Sequence, residues 1–187
     1  MIILGSSSPR RIELIKTLTN NFKVIKPLFD ESTLDKSSFF YLHKISRYKL
    51  KSILNLINYD DFVICLDTVI KFKNKILTKP LNKLEAINDL RLLSNKKHLV
   101  ITSVTYKYKN RIRTKLIKTK VYFNKLSNDD ILTYLNEVYV YDKAGSYAIQ
   151  DKSSINLIKK IKGSYTNVIG FPIEYIEKLF KKYKLIN

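Results

Sequence analysis

The chain of 187 residues has no tryptophan, one cysteine, four glycines and four prolines. A lone cysteine, Cys65, can close no internal disulfide, which sets aside the disulfide-stapled secreted scaffolds. No apolar run reaches the length of about 18 residues that a membrane-spanning helix needs. The opening MIILG is too short for the apolar region of an export signal, and no small-residue cleavage site follows it. A cytoplasmic protein without membrane attachment is therefore expected. There is no Walker A loop and no GxGxxG turn, which excludes P-loop nucleotidases and dinucleotide-binding Rossmann enzymes. The two histidines, His43 and His98, lack metal-ligand spacing, so no zinc site is expected. Repeats, low-complexity tracts and linkers are absent as well. The length suits one domain over residues 1–187, with two lobes and a sizeable core.

Charge is plentiful. Thirty-five Lys and Arg against 16 Asp and Glu give a formal net charge of +19. Such a balance suits nucleic acid or another polyanion. It also suits compositional drift, because the abundant Lys, Ile, Asn, Tyr and Phe all have AT-rich codons. The lysines are scattered, with no block of five or more basic residues, which favours drift filling a solvated surface.

The hydrophobic pattern predicts a mixed α/β fold. MIILG (1–5) reads as a buried strand. Ser8 is placed to cap a helix beginning at Pro9, with Ile12, Ile15 and Leu18 at helical spacing. Alternation predicts a strand over 22–26, followed by a loop holding Asp30 and Glu31. Residues 38–57 read as a long helix, and FVICL (62–66) as a buried strand ending at Asp67. Residues 69–77 form a hairpin around Asn74, and 98–109 with 112–123 a longer one around Asn110. Asn82 with Glu85, and Ser127 with Asp130, start helices over 83–94 and 128–137. KAGSYAIQD is a small-residue loop, and an amphipathic helix follows Pro172. The result is a twisted mixed sheet flanked by helices.

Polar residues interrupt this pattern mainly at strand ends, where open α/β sheets bind ligands. Ser6 to Ser8 precede a helix whose first turn carries Arg10 and Arg11. Two cations at the positive end of a helix dipole are unfavourable unless an anion lies there. Lys49 and Lys79 can add point charges for a phosphate tail. Glu31 and Asp67 can hold a hard divalent cation, and one of them can act as base toward water. Thr68 and Gln150 are polar groups near this set, and the Gln150 amide can donate to and accept from a nucleobase edge. Taken together, the residue types suit a metal-bound nucleotide. A basic nucleic-acid-binding module would use the same charge but leaves Glu31 and Asp67 without a role, and a cell-division regulator with little turnover would keep the nucleotide pocket.

The segments LGSSSPRRIELI, FDES, ISRYKLKS, VICLDTVI, TKPLNKLEAINDLRLLS, KKHLVITSV, KAGSYAIQ and IKGSYTNVIGFP occur in an order that resembles the Maf family of nucleoside triphosphate pyrophosphatases. The resemblance runs over about residues 2–173. It implies a Maf- and ITPase-like two-lobed fold with a cleft, hydrolysis of a nucleoside triphosphate to the monophosphate and pyrophosphate, a Mg²⁺ or Mn²⁺ ion, and a homodimer. It implies that Asp67 accepts the proton of the attacking water, with Glu31, Lys49 and Lys79 completing the charged set and Glu31 and Asp67 facing the metal. Ser6, Ser8, Arg10, Arg11, Thr68 and Gln150 correspond to substrate-binding positions. Arg10, Thr68 and Gln150 match the branch acting on dTTP and UTP. The sister branch, which prefers 7-methyl-GTP, has tryptophan, glutamine and glutamate there. Thr78, Ala148 and Asp151 stand where the family often has glycine, and Leu50 where it often has alanine.

Overall fold

The apolar run at the amino terminus cannot be one-sided, because successive side chains of a strand point to opposite faces. That parity organises the fold. The computed structural model describes residues 1–29 and 41–186. Its elements in chain order begin β1 (Ile2–Gly5), α1 (Pro9–Lys16), β2 (Phe22–Val24), α2 (Tyr41–Lys51), β3 (Phe62–Phe72), β4 (Lys75–Leu77) and α3 (Lys83–Leu93). They continue with β5 (Lys97–Tyr108), β6 (Arg111–Phe123), α4 (Asn128–Glu137), β7 (Ile158–Lys162), α5 (Tyr165–Ile169) and α6 (Ile173–Lys182). One seven-stranded mixed sheet runs β2-β1-β3-β5-β6-β7, with β4 paired to β3. β1 is parallel to β2 and β3, whereas the β3–β4 and β6–β7 pairs are antiparallel.

The chain forms two compact units. The first comprises residues 1–67, 102–117 and 170–187, the second 68–101 and 118–169. In the first, Ile2, Leu4, Phe62, Ile64 and Leu66 point to one sheet face and pack with Ile15 of α1 and Ile176, Leu179 and Phe180 of α6. Ile3, Val63 and Cys65 point to the other face, against Leu50 of α2 and Ile53. Phe62 is fully buried, with Tyr106 stacked on it at 5.6 Å and Phe180 edge-on at 5.6 Å. Burying such a ring stabilises the fold by about 1.5–3 kcal/mol. Gly5 has no room for a side chain, since a Cβ there would lie 2.3 Å from Cys65 Sγ.

In the second unit the core-facing residues are Ile70 and Phe72 of β3, Val100 of β5, and Val121 and Phe123 of β6. They pack under Ala86, Leu90 and Leu93 of α3 and Ile131 and Tyr134 of α4. Both helices start as their sequences predict. Asn82 Oδ1 accepts from the Glu85 amide at 2.9 Å, and Ser127 with Asp130 forms a reciprocal capping box. The two hairpin turns are Lys73–Asn74 and Lys109–Asn110, with each lysine at positive φ (51° and 52°).

Several boundaries differ from the sequence reading. β2 stops at Val24, and the helix over 41–51 is followed by a separate 3₁₀ turn over 54–56. β3 does not end at Asp67. It continues through Thr68, Val69 and Ile70, which are β-formers, and β4 pairs with its far end. β7 and α5 were not anticipated. Each has only five residues, and β7 carries three lysines, which hide its period.

Candidate active site

Parity also places the acid. Asp67 is an odd-numbered residue of β3 and shares a face with Val63 and Cys65, the face covered by α2. Lys49 adjoins Leu50 on α2 and lies one turn beyond the buried Ile45. The Lys49 ammonium donates to Asp67 Oδ1 at 2.5 Å, with the two side chains only 13% and 11% exposed. The second oxygen, Oδ2, accepts no hydrogen bond among the described residues. A buried hydroxyl cluster docks this helix. Ser46 Oγ lies 2.6 Å from Ser103 Oγ and 2.7 Å from Thr105 Oγ1, and Thr105 Oγ1 lies 2.8 Å from Thr114 Oγ1. Arg47 Nε donates to Thr114 Oγ1 at 3.0 Å. These contacts seat the segment of α2 that carries Lys49 against β5 and β6.

The serine-rich turn lies in the same unit. Ser6 is buried, and its hydroxyl accepts from the Ser8 amide at 3.2 Å and from Arg11 Nη1 at 3.3 Å. Ser8 occupies the N-cap position with extended backbone, but its side chain makes no capping bond, contrary to the sequence reading. Its carbonyl begins the helix by accepting from Arg11 and Ile12. Arg11 Nε donates to the Gly170 carbonyl at 2.9 Å, and Nη1 to the Leu66 carbonyl at 2.8 Å. These carbonyl dipoles compensate a cation at the wrong end of α1. They also tie the turn to the residue preceding Asp67. Arg10 is half-buried in the first turn of the same helix. Cys65, although adjacent in sequence to the acid's neighbours, is fully buried, and burial pushes its thiol up to about 12, so it is inert.

The second unit holds Thr68, Lys79 and Gln150. Thr68 is half-buried in β3, and Lys79 and Gln150 are exposed. The loop carrying Gln150 is tied at successive residues. The Gly145 amide donates to the Thr78 carbonyl at 3.0 Å, next to Lys79. Ser146 Oγ donates to Asp89 Oδ2 at 2.8 Å, and Tyr147 Oη lies 2.7 Å from His98 Nε2. The Ala148 amide donates to Tyr134 Oη at 3.0 Å, and Ser154 Oγ donates to the Ala148 carbonyl. Tyr165 Oη donates to the Ile149 carbonyl at 3.3 Å. Gly145 and Ser146 both have positive φ, 67° and 65°. Strain at Ser146 is sustained by its surroundings. Burial pushes the Asp89 carboxyl above its usual range, and the Ser146 bond opposes that rise. Thr78, Ala148 and Asp151 are not at positive φ, so the family glycines are not needed there for backbone conformation.

Sequence reasoning missed Asp89, Ser146, Tyr134 and Tyr147 as supports. Their one signal was polar or small residues inside otherwise apolar segments. Glu31 and Asp30 lie outside the described residues. Among the described residues, no group of three or more His, Cys, Asp and Glu side chains could hold a metal ion alone.

The family model described as Maf-like protein matches residues 1–183. The chain belongs to the Maf-like family. A Thermosipho africanus protein named dTTP/UTP pyrophosphatase is 42% identical, over 94% of this chain and 89% of its own length. The Thermosipho melanesiensis protein of that name is 41% identical, over 94% and 93%. A Fusobacterium nucleatum protein, also named dTTP/UTP pyrophosphatase, is 39% identical, over 96% and 94%. Membership gives the Lys49–Asp67 pair a context, because both residues sit in the segments through which the chain resembles the Maf family. No helix among the described residues is long and apolar enough to cross a membrane.

Proposed function

We propose that this protein hydrolyses dTTP and UTP to the monophosphate and pyrophosphate, as the names of its relatives state for them. The observation carrying this reading is the docked Lys49–Asp67 pair beside the Ser6–Arg11 turn. Water attacks the α-phosphorus in line, the bond to the bridging oxygen breaks, and pyrophosphate leaves. Lys49 holds Asp67 through Oδ1, which presents Oδ2 as the acceptor for the water proton. Such chemistry depends mainly on positioning and electrostatic stabilisation. Arg11 acts by fixing the turn against the Leu66 carbonyl, so its role is positioning before it is phosphate binding. Arg10, Thr68, Lys79 and Gln150 keep the substrate roles the resemblance implies.

The donor set fits a hard cation. One carboxylate, Asp67, with Glu31 proposed as a second, suits Mg²⁺ or Mn²⁺ carried largely by substrate phosphates and water rather than by a cage of protein ligands. When bound, the ion would neutralise phosphate charge. A cytoplasmic homodimer completes the proposal.

The test is pyrophosphate release from dTTP, UTP, CTP, GTP, ATP and 7-methyl-GTP, with Mg²⁺ and then Mn²⁺. Preferential turnover of dTTP and UTP is expected. Turnover of 7-methyl-GTP alone would overturn the base preference and keep the chemistry. No release from any substrate would overturn the enzymatic reading.

A further inference from the structure

Charge in the second unit is sorted by element. Its acidic residues all lie on α3, α4 or loops, whereas every charged residue on its strand segments is a lysine. Between Asp89 and Asp129 the chain carries eleven Lys or Arg and no acid. Codon drift adds lysine at exposed positions in general. It does not by itself keep acids off the strands, while Lys83 and Arg91 share α3 with Glu85 and Asp89.

Where acids are missing from the strands, lysines of β3, β5 and β6 gather around a groove. A groove of about 530 Å³ is lined by Lys71, Lys73, Lys96, Lys97 and Lys120, and among the described residues no acidic side chain lines it. Half-buried Leu99 supplies apolar surface within it, and the Lys73 and Lys96 ammonium groups lie 5.8 and 5.6 Å from the ring centre of Phe72, a core residue only 6% exposed. A second groove of about 310 Å³ shares Lys96 and Lys97 and continues past Tyr122 to Lys159 and Lys160. In the β6–β7 ladder Lys120 lies directly opposite Lys162, and Tyr122 opposite Lys160. Like charges directly opposed across a ladder are destabilising without a counter-charge. The face therefore combines a row of cations with aromatic and apolar surface in a concave track.

We propose that this face binds single-stranded nucleic acid without sequence preference, its phosphates on the lysines and its bases against Leu99 and Tyr122. Proteins that bind single strands combine a basic groove with aromatic surfaces for base stacking. A duplex hides its base faces and could use only the lysine rim. An anionic bilayer needs apolar side chains that project outward, whereas here the apolar surface lines a groove. A second copy of the same face would bring lysine onto lysine. The inference does not depend on the proposed hydrolysis.

The experiment is fluorescence anisotropy of a labelled oligothymidylate with the full chain across a salt series. Lys97→Glu/Lys120→Glu is compared with Lys178→Glu/Lys182→Glu on α6, which changes net charge equally. The first pair is expected to weaken binding at least about tenfold and to reduce the salt slope by about 1.4 or more, that is about 0.7 for each phosphate no longer neutralised. The control pair, which lines neither groove, should weaken it less than about twofold, as for screened charges that touch no phosphate. Both variants should keep wild-type pyrophosphate release. As a check that needs no variant, the oligonucleotide should protect Lys97 and Lys120 of the wild type from acetylation. Equal weakening by both pairs, absence of protection, or displacement of the oligonucleotide by excess dTTP would overturn the proposal. So would capture of phosphatidylglycerol vesicles with no binding of the oligonucleotide.

Discussion

The two units prepare their polar residues in opposite ways. In the first, the charged groups are already engaged with protein. Lys49 holds Asp67 at 2.5 Å, and Arg11 directs its donors to Ser6, Leu66 and Gly170. In the second, Lys79 and Gln150 are exposed, while the backbone beneath Gln150 is bound by neutral groups such as Tyr134 and Tyr165. A charge half-removed from water must find a partner within the fold. An exposed lysine or amide needs none, and precision then comes from the backbone that carries it. One unit fixes charged side chains against protein partners, and the other fixes the backbone of a loop.

The largest test of this contrast is at the pair. Asp67→Asn keeps the shape and removes the proposed base, and should lower turnover of dTTP about a thousandfold or more, about 4 kcal/mol of barrier. Steady-state pyrophosphate release checks this. A variant keeping more than about a tenth of the wild-type rate, a barrier change under about 1.4 kcal/mol, would remove Asp67 from the chemistry.

Next comes a pH effect confined to the second unit. Burial pushes the His98 imidazole down to about 4 from its ordinary 6.5, and its Nδ1 has no hydrogen-bond partner among the described residues. As pH falls, the unfolded chain takes up the proton first. The stability from a neutral His98 is thus complete above about pH 6.5 and drains away as pH falls toward about 4, by about 3 kcal/mol. Urea unfolding at several pH values should show that slope, and His98→Leu should flatten it.

The loop supports follow. Gly145→Ala would place a Cβ 2.3 Å from Ile70 Cδ1 in a left-handed conformation, costing about 1–3 kcal/mol. Ser146→Ala removes the donor to Asp89 and should cost about 1–2 kcal/mol. If the loop positions Gln150, both variants raise KM more than they lower kcat. An equal fall in kcat with KM unchanged would sink that view.

The smallest effect belongs to the exposed amide. Gln150→Ala should leave the melting temperature unchanged and shift the dTTP-to-GTP preference by about tenfold or less, as expected for one hydrogen-bonding group. A stability loss there would show that the side chain serves the fold.

Much of this was legible in the chain. The alternation of MIILG and FVICL, the caps at Asn82 and Ser127, and the ordered motifs from SSSPRR to KAGSYAIQ specify strands, helices and family. All are local signals, carried by residues adjacent or one helical turn apart. Ser8 misled, because a serine in the N-cap position need not cap. Here Ser6 and the carbonyls of Leu66 and Gly170 organise that turn. β3 ran past Asp67 because β4 was available to pair with it, a pairing no reading of FVICL contains.

By itself the sequence determined the α/β class, the starts of α1, α3, α4 and α6, the family and the inventory of charged residues, since these follow from period, capping chemistry and residue order. Tertiary structure alone decided that Lys49 meets Asp67, that Arg11 is a tether, that Asp89 and Ser146 brace the Gln150 loop, and that the lysines of β3, β5, β6 and β7 share a face. Each of these joins residues far apart in the chain, and only packing and strand register bring such residues within reach of a hydrogen bond or a common charge field.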